Sequence, residues 1–151
     1  AYECALHGCE VVIVSRPSSI NNASKLVERL RTDIPFSNVN VCTTKTICED
    51  IDLLVNATPV GMYPKINECP VFADVISNSC AVFDAIYNPM DTIFLKIAKS
   101  YGIKAIGGMP MLIWQAVESH KIWNNSIFKY DDILQLEEDA QKELKKTFYE
   151  G

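Results

Sequence analysis

Four short stretches of this 151-residue chain carry residue types able to hold a charged ligand or exchange a proton. Val14-Ser15-Arg16-Pro17-Ser18-Ser19 sets a guanidinium among hydroxyls at the end of an apolar, β-branched run, with no acidic residue beside it. An arginine fork offers bidentate, charge-assisted bonds to a phosphate. Ser15, Arg16, Ser18 and Ser19 are therefore a candidate phosphate site; the plainer alternative is an ordinary surface cation. Asn56-Ala57-Thr58-Pro59-Val60-Gly61-Met62 follows a second apolar run and turns at Pro59 and Gly61. Such a turn either exposes backbone and the Thr58 hydroxyl near a crevice or uses its Asn and Thr to satisfy its own backbone. In Asp84-Ala85-Ile86-Tyr87-Asn88-Pro89-Met90-Asp91-Thr92, the Asn88-Pro89 pair holds Tyr87 in an extended or turn conformation. Its phenol is placed to donate to a ligand, or simply to pack its ring and leave its hydroxyl wet. Gly107-Gly108-Met109-Pro110 leads into a helix whose face repeats Met111, Gln115, Ser119 and Ile122. Gln115, the polar amide of that face, has both a donor and an acceptor to offer a ligand or a structural partner.

The elements that must position these residues alternate. Val11–Val14, Val39–Cys42, Leu53–Val55, Ala81–Phe83 and Ile103–Ile106 read as five strands. Asn22–Arg31 and Asp91–Tyr101 carry helical periodicity between them, with Ile93, Ile97 and Tyr101 on one face of the second. Parallel neighbours need a crossover, usually a helix, and strands covered on both sides are apolar throughout. The expected fold is therefore α/β, a doubly wound, mostly parallel sheet. Two helices close the chain, from about Pro110 to Trp123 and from about Asp132 to Tyr149. The last puts Ile133, Leu136, Ala140, Leu144 and Phe148 on one stripe, with Asp131 and Asp132 at its positive end and Lys145 and Lys146 near its negative end. Ala1–Leu6 reads as the last turns of a helix stopping at Gly8, and no initiating Met is present. In a sheet of order 3-2-1-4-5-6, the central strand and its Gly-rich phosphate turn come before that helix. Both are expected to lie outside this chain.

Three of the stretches together resemble the nucleotide-binding half of the shikimate dehydrogenases. Asn56–Met62 is similar to the family's Asn-Ala-Thr-x-x-Gly-Met turn, Asp84–Thr92 to Asp-x-x-Tyr-x-Pro-x-x-Thr, and Gly107–Ala116 to Gly-x-x-Met-Leu-x-x-Gln-Ala. Each falls at the carboxyl end of an expected strand, where open α/β sheets bind ligands. The resemblance implies a Rossmann-like domain of a longer enzyme that reduces 3-dehydroshikimate to shikimate with a nicotinamide cofactor. It implies that the dinucleotide runs past Thr58, that the backbone at Ala85 lies against the nicotinamide, and that Gly108 permits close approach. Tyr87 and Gln115 would bind the substrate, while Asp84 ties its loop. The family's acid and base lie on an N-terminal substrate domain with no counterpart here, so no catalytic residue is assigned. Pro110 and Gly107 depart from the family pattern at that loop, and Ser15-Arg16-Pro17 keeps only part of its Asn-Arg-Thr. An NAD site would carry Asp or Glu after the first strand, for the ribose 2′-OH; Arg16 instead favours NADP. Quinate dehydrogenase is the alternative within the enzyme class. Outside it stands a non-catalytic binding module completed by a partner, suggested by the apolar stripe of the last helix.

The composition fits a single globular core. Hydrophobic residues make up 48% and charged residues 22%, which excludes disordered and collagen-like classes. A net charge of −5 without basic runs argues against a nucleic-acid surface. No apolar run reaches the roughly 18 to 20 residues of a bilayer crossing, and no signal peptide is visible, so a cytoplasmic protein is expected; a homodimer is compatible with the sequence. Six cysteines, at Cys4, Cys9, Cys42, Cys48, Cys69 and Cys80, form no CxxC pair and have no nearby His at ligand spacing, which disfavours zinc and points to free buried thiols. His7 and His120 have no partners at catalytic spacing.

Overall fold

The computed structural model describes residues 1–43 and 50–149, in two compact units, Ala1–Glu49 and Asp50–Gly151. The first unit runs α1 (Tyr2–Leu6), β1 (Val11–Ser15), a 3₁₀ turn (Pro17–Ser19), α2 (Ile20–Asp33) and β2 (Val39–Thr43). Strands β1 and β2 pair in parallel, Val11 against Val39 through Ser15 against Thr43. Ala23, Val27 and Leu30 recur at helical spacing and bury one face of α2. Val27 and Leu30 join Ala5 and Val39 in the core of this unit, packed by Val11, Ile13 and Ile34. Arg31 clamps the far end of α2, its Nε donating to the Val39 carbonyl at 2.9 Å and its Nη2 to Asn40 Oδ1 at 2.8 Å.

The second unit holds β3 (Ile51–Asn56), α3 (Ala73–Ser77), β4 (Ser79–Asp84), α4 (Ile93–Ser100), β5 (Lys104–Ile106), α5 (Met109–Asn124) and α6 (Tyr130–Tyr149). Its three strands lie in the order β3-β4-β5, all parallel. Ile76, Val82, Phe94, Leu95 and Ala98 form the core, with Leu54, Ile97 and Ala105 against it. Each such large side chain contributes about 1.5 to 3 kcal/mol by leaving water. The Thr92 hydroxyl caps α4 by accepting from the Leu95 N–H at 3.3 Å. Asn125, at φ +51°, ends α5 before the chain turns back into α6.

Each of the five expected strands is present, within about two residues of its expected bounds, and the architecture is α/β and parallel throughout. The strands lie in two sheets rather than one. The first unit holds the two-stranded sheet β1-β2 and the second the three-stranded sheet β3-β4-β5. Helix α3 was not expected, since five residues are too few to show a helical period. The cysteines correct the sequence expectation in part. Cys4, Cys9, Cys69 and Cys80 carry free thiols, but Cys4, Cys9 and Cys80 are exposed. Apolar neighbours in sequence did not carry them inward: in α1 only Ala5 is buried. Cys42 and Cys69 are half-buried, burial pushes the Cys69 thiol above its usual pKa, and Cys48 lies outside the described residues. No helix among the described residues is long and apolar enough to cross a membrane.

Candidate functional site

At the tip of β1, Pro17 shapes the local chain. It forces Arg16 into an extended conformation (φ −65°, ψ 149°) and opens the 3₁₀ turn. The Arg16 carbonyl accepts from the Ser19 N–H at 2.9 Å and from the Ser15 hydroxyl at 3.3 Å, while Arg16 and Ser18 themselves are exposed. Ser19 sits at the N-cap of α2 without a side-chain capping bond. The first-turn N–H groups of a 14-residue helix therefore lack a side-chain cap beside a guanidinium and two serine hydroxyls. That donor set suits a phosphate monoester, since helix N-termini and arginine forks both favour such an anion.

In the second unit, β3 and β4 end level: Asn56 and Asp84 are ladder partners, and a side-chain bond joins them. Asp84 is fully buried and is the hub of the region. Its Oδ1 accepts from Asn56 Nδ2 at 3.0 Å and from the Ile86 N–H at 3.1 Å, and its Oδ2 accepts from the Thr92 hydroxyl at 2.6 Å. One carboxylate thus ties the β3 turn, the β4 loop and the start of α4. The Asn56–Met62 turn satisfies itself in turn. Asn56 Oδ1 accepts from both the N–H and the hydroxyl of Thr58, at 3.0 and 2.7 Å, and the Thr58 oxygen accepts from the Val60 N–H at 3.2 Å. Thr58 keeps one unused lone pair. Gly61 closes the turn at φ +95°, a backbone conformation that glycine adopts without steric cost.

Gly108 explains itself by packing. Its N–H donates to the Ile86 carbonyl at 3.0 Å. A Cβ added there would lie 2.6 Å from the Ala85 carbonyl carbon and 2.9 Å from that of Ile86, and closer still to the Ala85 oxygen. The close approach that requires glycine is to the β4 loop, so Gly108 fixes where the Ala85 backbone lies. Tyr87, on the same loop, is 41% exposed and lines a cavity of about 370 Å³. Gln115 is exposed on α5, one position on a largely exposed face with Met111 and Ile122. Arg16 belongs to the first unit, and Thr58, Ala85, Tyr87, Gly108 and Gln115 to the second. Among the described residues, no group of three or more His, Cys, Asp or Glu could hold a metal ion.

No family model matches the chain. An NADP(+) shikimate dehydrogenase of Caldanaerobacter subterraneus subsp. tengcongensis is 31% identical over 136 residues, covering 89% of this chain and 48% of that protein. The chain belongs to the shikimate dehydrogenase family. Its fold agrees. A chorismate mutase/shikimate 5-dehydrogenase fusion protein from Clostridium acetobutylicum superposes with a TM-score of 0.76 at 30% identity, over 90% of this chain and 46% of that one. The shikimate 5-dehydrogenase of Thermus thermophilus in complex with NADP(H) and shikimate gives 0.72 at 26% identity, over 89% and 48%. The chain spans about half the length of the curated relatives it matches.

In this shikimate dehydrogenase family member, the structure adds residues that sequence reasoning passed over. Thr92 stood in the quoted motif without a role; it both caps α4 and donates to Asp84. Tyr63, one residue beyond the Asn56–Met62 turn, lines the same cavity as Tyr87, and so do Leu144 and Phe148 of α6. The stripe of α6 was readable from its spacing, but what it covers was not. His120 hydrogen-bonds Asn124 at 3.0 Å and meets the Phe128 ring edge-on, which is a packing role.

Proposed function

We propose that this chain is the cofactor-binding part of an NADP-dependent shikimate dehydrogenase of cytoplasmic aromatic biosynthesis, interconverting 3-dehydroshikimate and shikimate. The observation that carries the reading is the 31% identity to an NADP(+) shikimate dehydrogenase over 136 residues. The phosphate-competent tip of β1 supports it independently. In this reading, Arg16 with Ser15, Ser18 and Ser19 holds the 2′-phosphate that separates NADP from NAD. Thr58, the Ala85 backbone and Gly108 line the dinucleotide. Tyr87 donates to the substrate, and Gln115 hydrogen-bonds a ring hydroxyl. Bound NADP supplies the hydride chemistry; the residues here bind and orient. Residues 1–151 then form a partial Rossmann-like domain, and a substrate-binding domain on the rest of the protein carries the proton-transfer groups. The length of the relatives, about twice this chain, supports that division.

The test is turnover. The full-length protein is expected to reduce NADP+ on addition of shikimate, and residues 1–151 alone to show none; a full-length protein inert towards shikimate overturns the assignment. For the cofactor, Arg16→Ala in the full-length protein removes a charge-assisted bond worth about 1.5 to 3 kcal/mol, so NADP+ affinity is expected to fall at least about tenfold. Affinity for NAD+ should barely move. Titration calorimetry with both cofactors reads this directly, and equal losses would remove Arg16 as the selectivity residue.

A further inference from the structure

The cavity beside Tyr87 is bounded on one side by α6, with Tyr63, Tyr87 and Phe148 exposed at its rim. Met62, Tyr63, Tyr87, Asn88, Leu144 and Phe148 line its roughly 370 Å³, a size suited to a small ring compound. Two observations fix its walls. The Tyr63 N–H donates to the Asn88 carbonyl at 3.0 Å, which locks the loop after β3 to the loop after β4. The Tyr63 ring then meets the Phe148 ring edge-on, centroids 5.6 Å apart at 61°, a geometry that aromatic pairs favour. The amphipathic spacing of α6 brings Leu144, four residues earlier, to the same cavity.

We propose that Phe148, with Leu144 and Met62, forms an apolar wall of the substrate pocket and sets its preference for shikimate over quinate. The inference rests on the dehydrogenase reading, with Tyr87 at the substrate. A ring acid offers the cavity two kinds of surface: a hydroxyl edge for the Tyr87 phenol and a carbon face for the phenyl and methyl groups. Quinate differs by ring saturation and one further hydroxyl. Against Phe148 and Leu144 that hydroxyl would lose water without gaining a partner, which costs free energy. Apolar pockets reject an added hydroxyl by about a hundredfold at most, which sets the ceiling on this discrimination.

Steady-state kinetics of the full-length protein with NADP+ and either shikimate or quinate test the wall. Phe148→Ala is expected to raise the KM for shikimate about tenfold and to narrow the shikimate-to-quinate ratio of kcat/KM by a similar factor. The Kd for NADP+, measured without substrate, should stay within about twofold. Phe148→Leu keeps an apolar side chain, guards against loss of folding, and should fall between the wild type and Phe148→Ala. A shikimate KM that is unchanged or falls in both variants, or a substrate ratio that does not narrow, overturns the proposal; a fall would mean that α6 obstructs the pocket instead. A wild-type protein that oxidises neither acid overturns the dehydrogenase assignment itself, which is a separate result.

Discussion

Asp84→Ala should destabilise the second unit by about 3 kcal/mol or more, because each buried donor left without its acceptor costs about 1 to 3 kcal/mol. Three donors lose an acceptor at once: one N–H of Asn56 Nδ2, whose other partner, the Val60 carbonyl, remains, the Ile86 N–H and the Thr92 hydroxyl. The site is fully buried, so water does not replace the carboxylate. Asp84→Asn should cost less. The amide keeps one oxygen for Asn56 and Ile86, and one of its N–H groups can donate to the Thr92 oxygen, leaving the Thr92 proton and the second amide N–H without acceptors. Chemical denaturation of the full-length protein, followed by a probe in this unit, measures both variants. A loss below about 1 kcal/mol for Asp84→Ala would mean that the three loops hold together without their hub. The functional consequence follows from the geometry, since the same carboxylate sets both the Thr58 turn and the loop of Tyr87.

Gly108→Ala should be the second most damaging change. At φ −81° alanine meets no backbone penalty, so the whole effect is steric. The added methyl meets the Ala85 and Ile86 carbonyl groups, which belong to backbone held by hydrogen bonds on both sides. Overpacking costs about 1 to 3 kcal/mol where side chains can give way, and here the obstacle is main chain, which places the expectation at the upper end. Gly107→Ala is the internal control. Its nearest neighbour would be the end of the Leu95 side chain at 3.3 Å, which can shift by a few tenths of an ångström. Thermal denaturation of the two variants side by side should therefore rank Gly108→Ala well below Gly107→Ala. The reverse order would contradict the account of why glycine stands at position 108.

The elements were legible in the sequence where periodicity is strong. Apolar runs marked each strand and helical periodicity marked α2 and α4, but α4 buries Phe94, Leu95 and Ala98, while Tyr101 of the expected Ile93, Ile97 and Tyr101 face is exposed. The motifs were legible through their resemblance to the shikimate dehydrogenases, since Asn, Thr, Asp and Gly at strand ends also serve turns and caps. What the sequence could not resolve was which partner each polar group would take. The Thr58 hydroxyl was free on paper to meet a ligand, yet the Asn56 side chain lies two residues away and captures its proton. Gly108 suggested a close approach, and the backbone that makes one is that of Ala85 and Ile86. These are questions of long-range packing, and spacing along one chain carries no information about them. The same holds for α6: its apolar stripe was evident, but only the fold brings Phe148 to Tyr63.

The central claim is that a shikimate dehydrogenase domain reads the 2′-phosphate of its cofactor through the tip of β1. The most direct measurement is the kcat/KM of the full-length protein for shikimate-dependent reduction of NADP+ beside that of NAD+. One retained charge-assisted phosphate contact predicts a preference for NADP+ of at least about tenfold. Parity between the two cofactors, or a preference for NAD+, would contradict it.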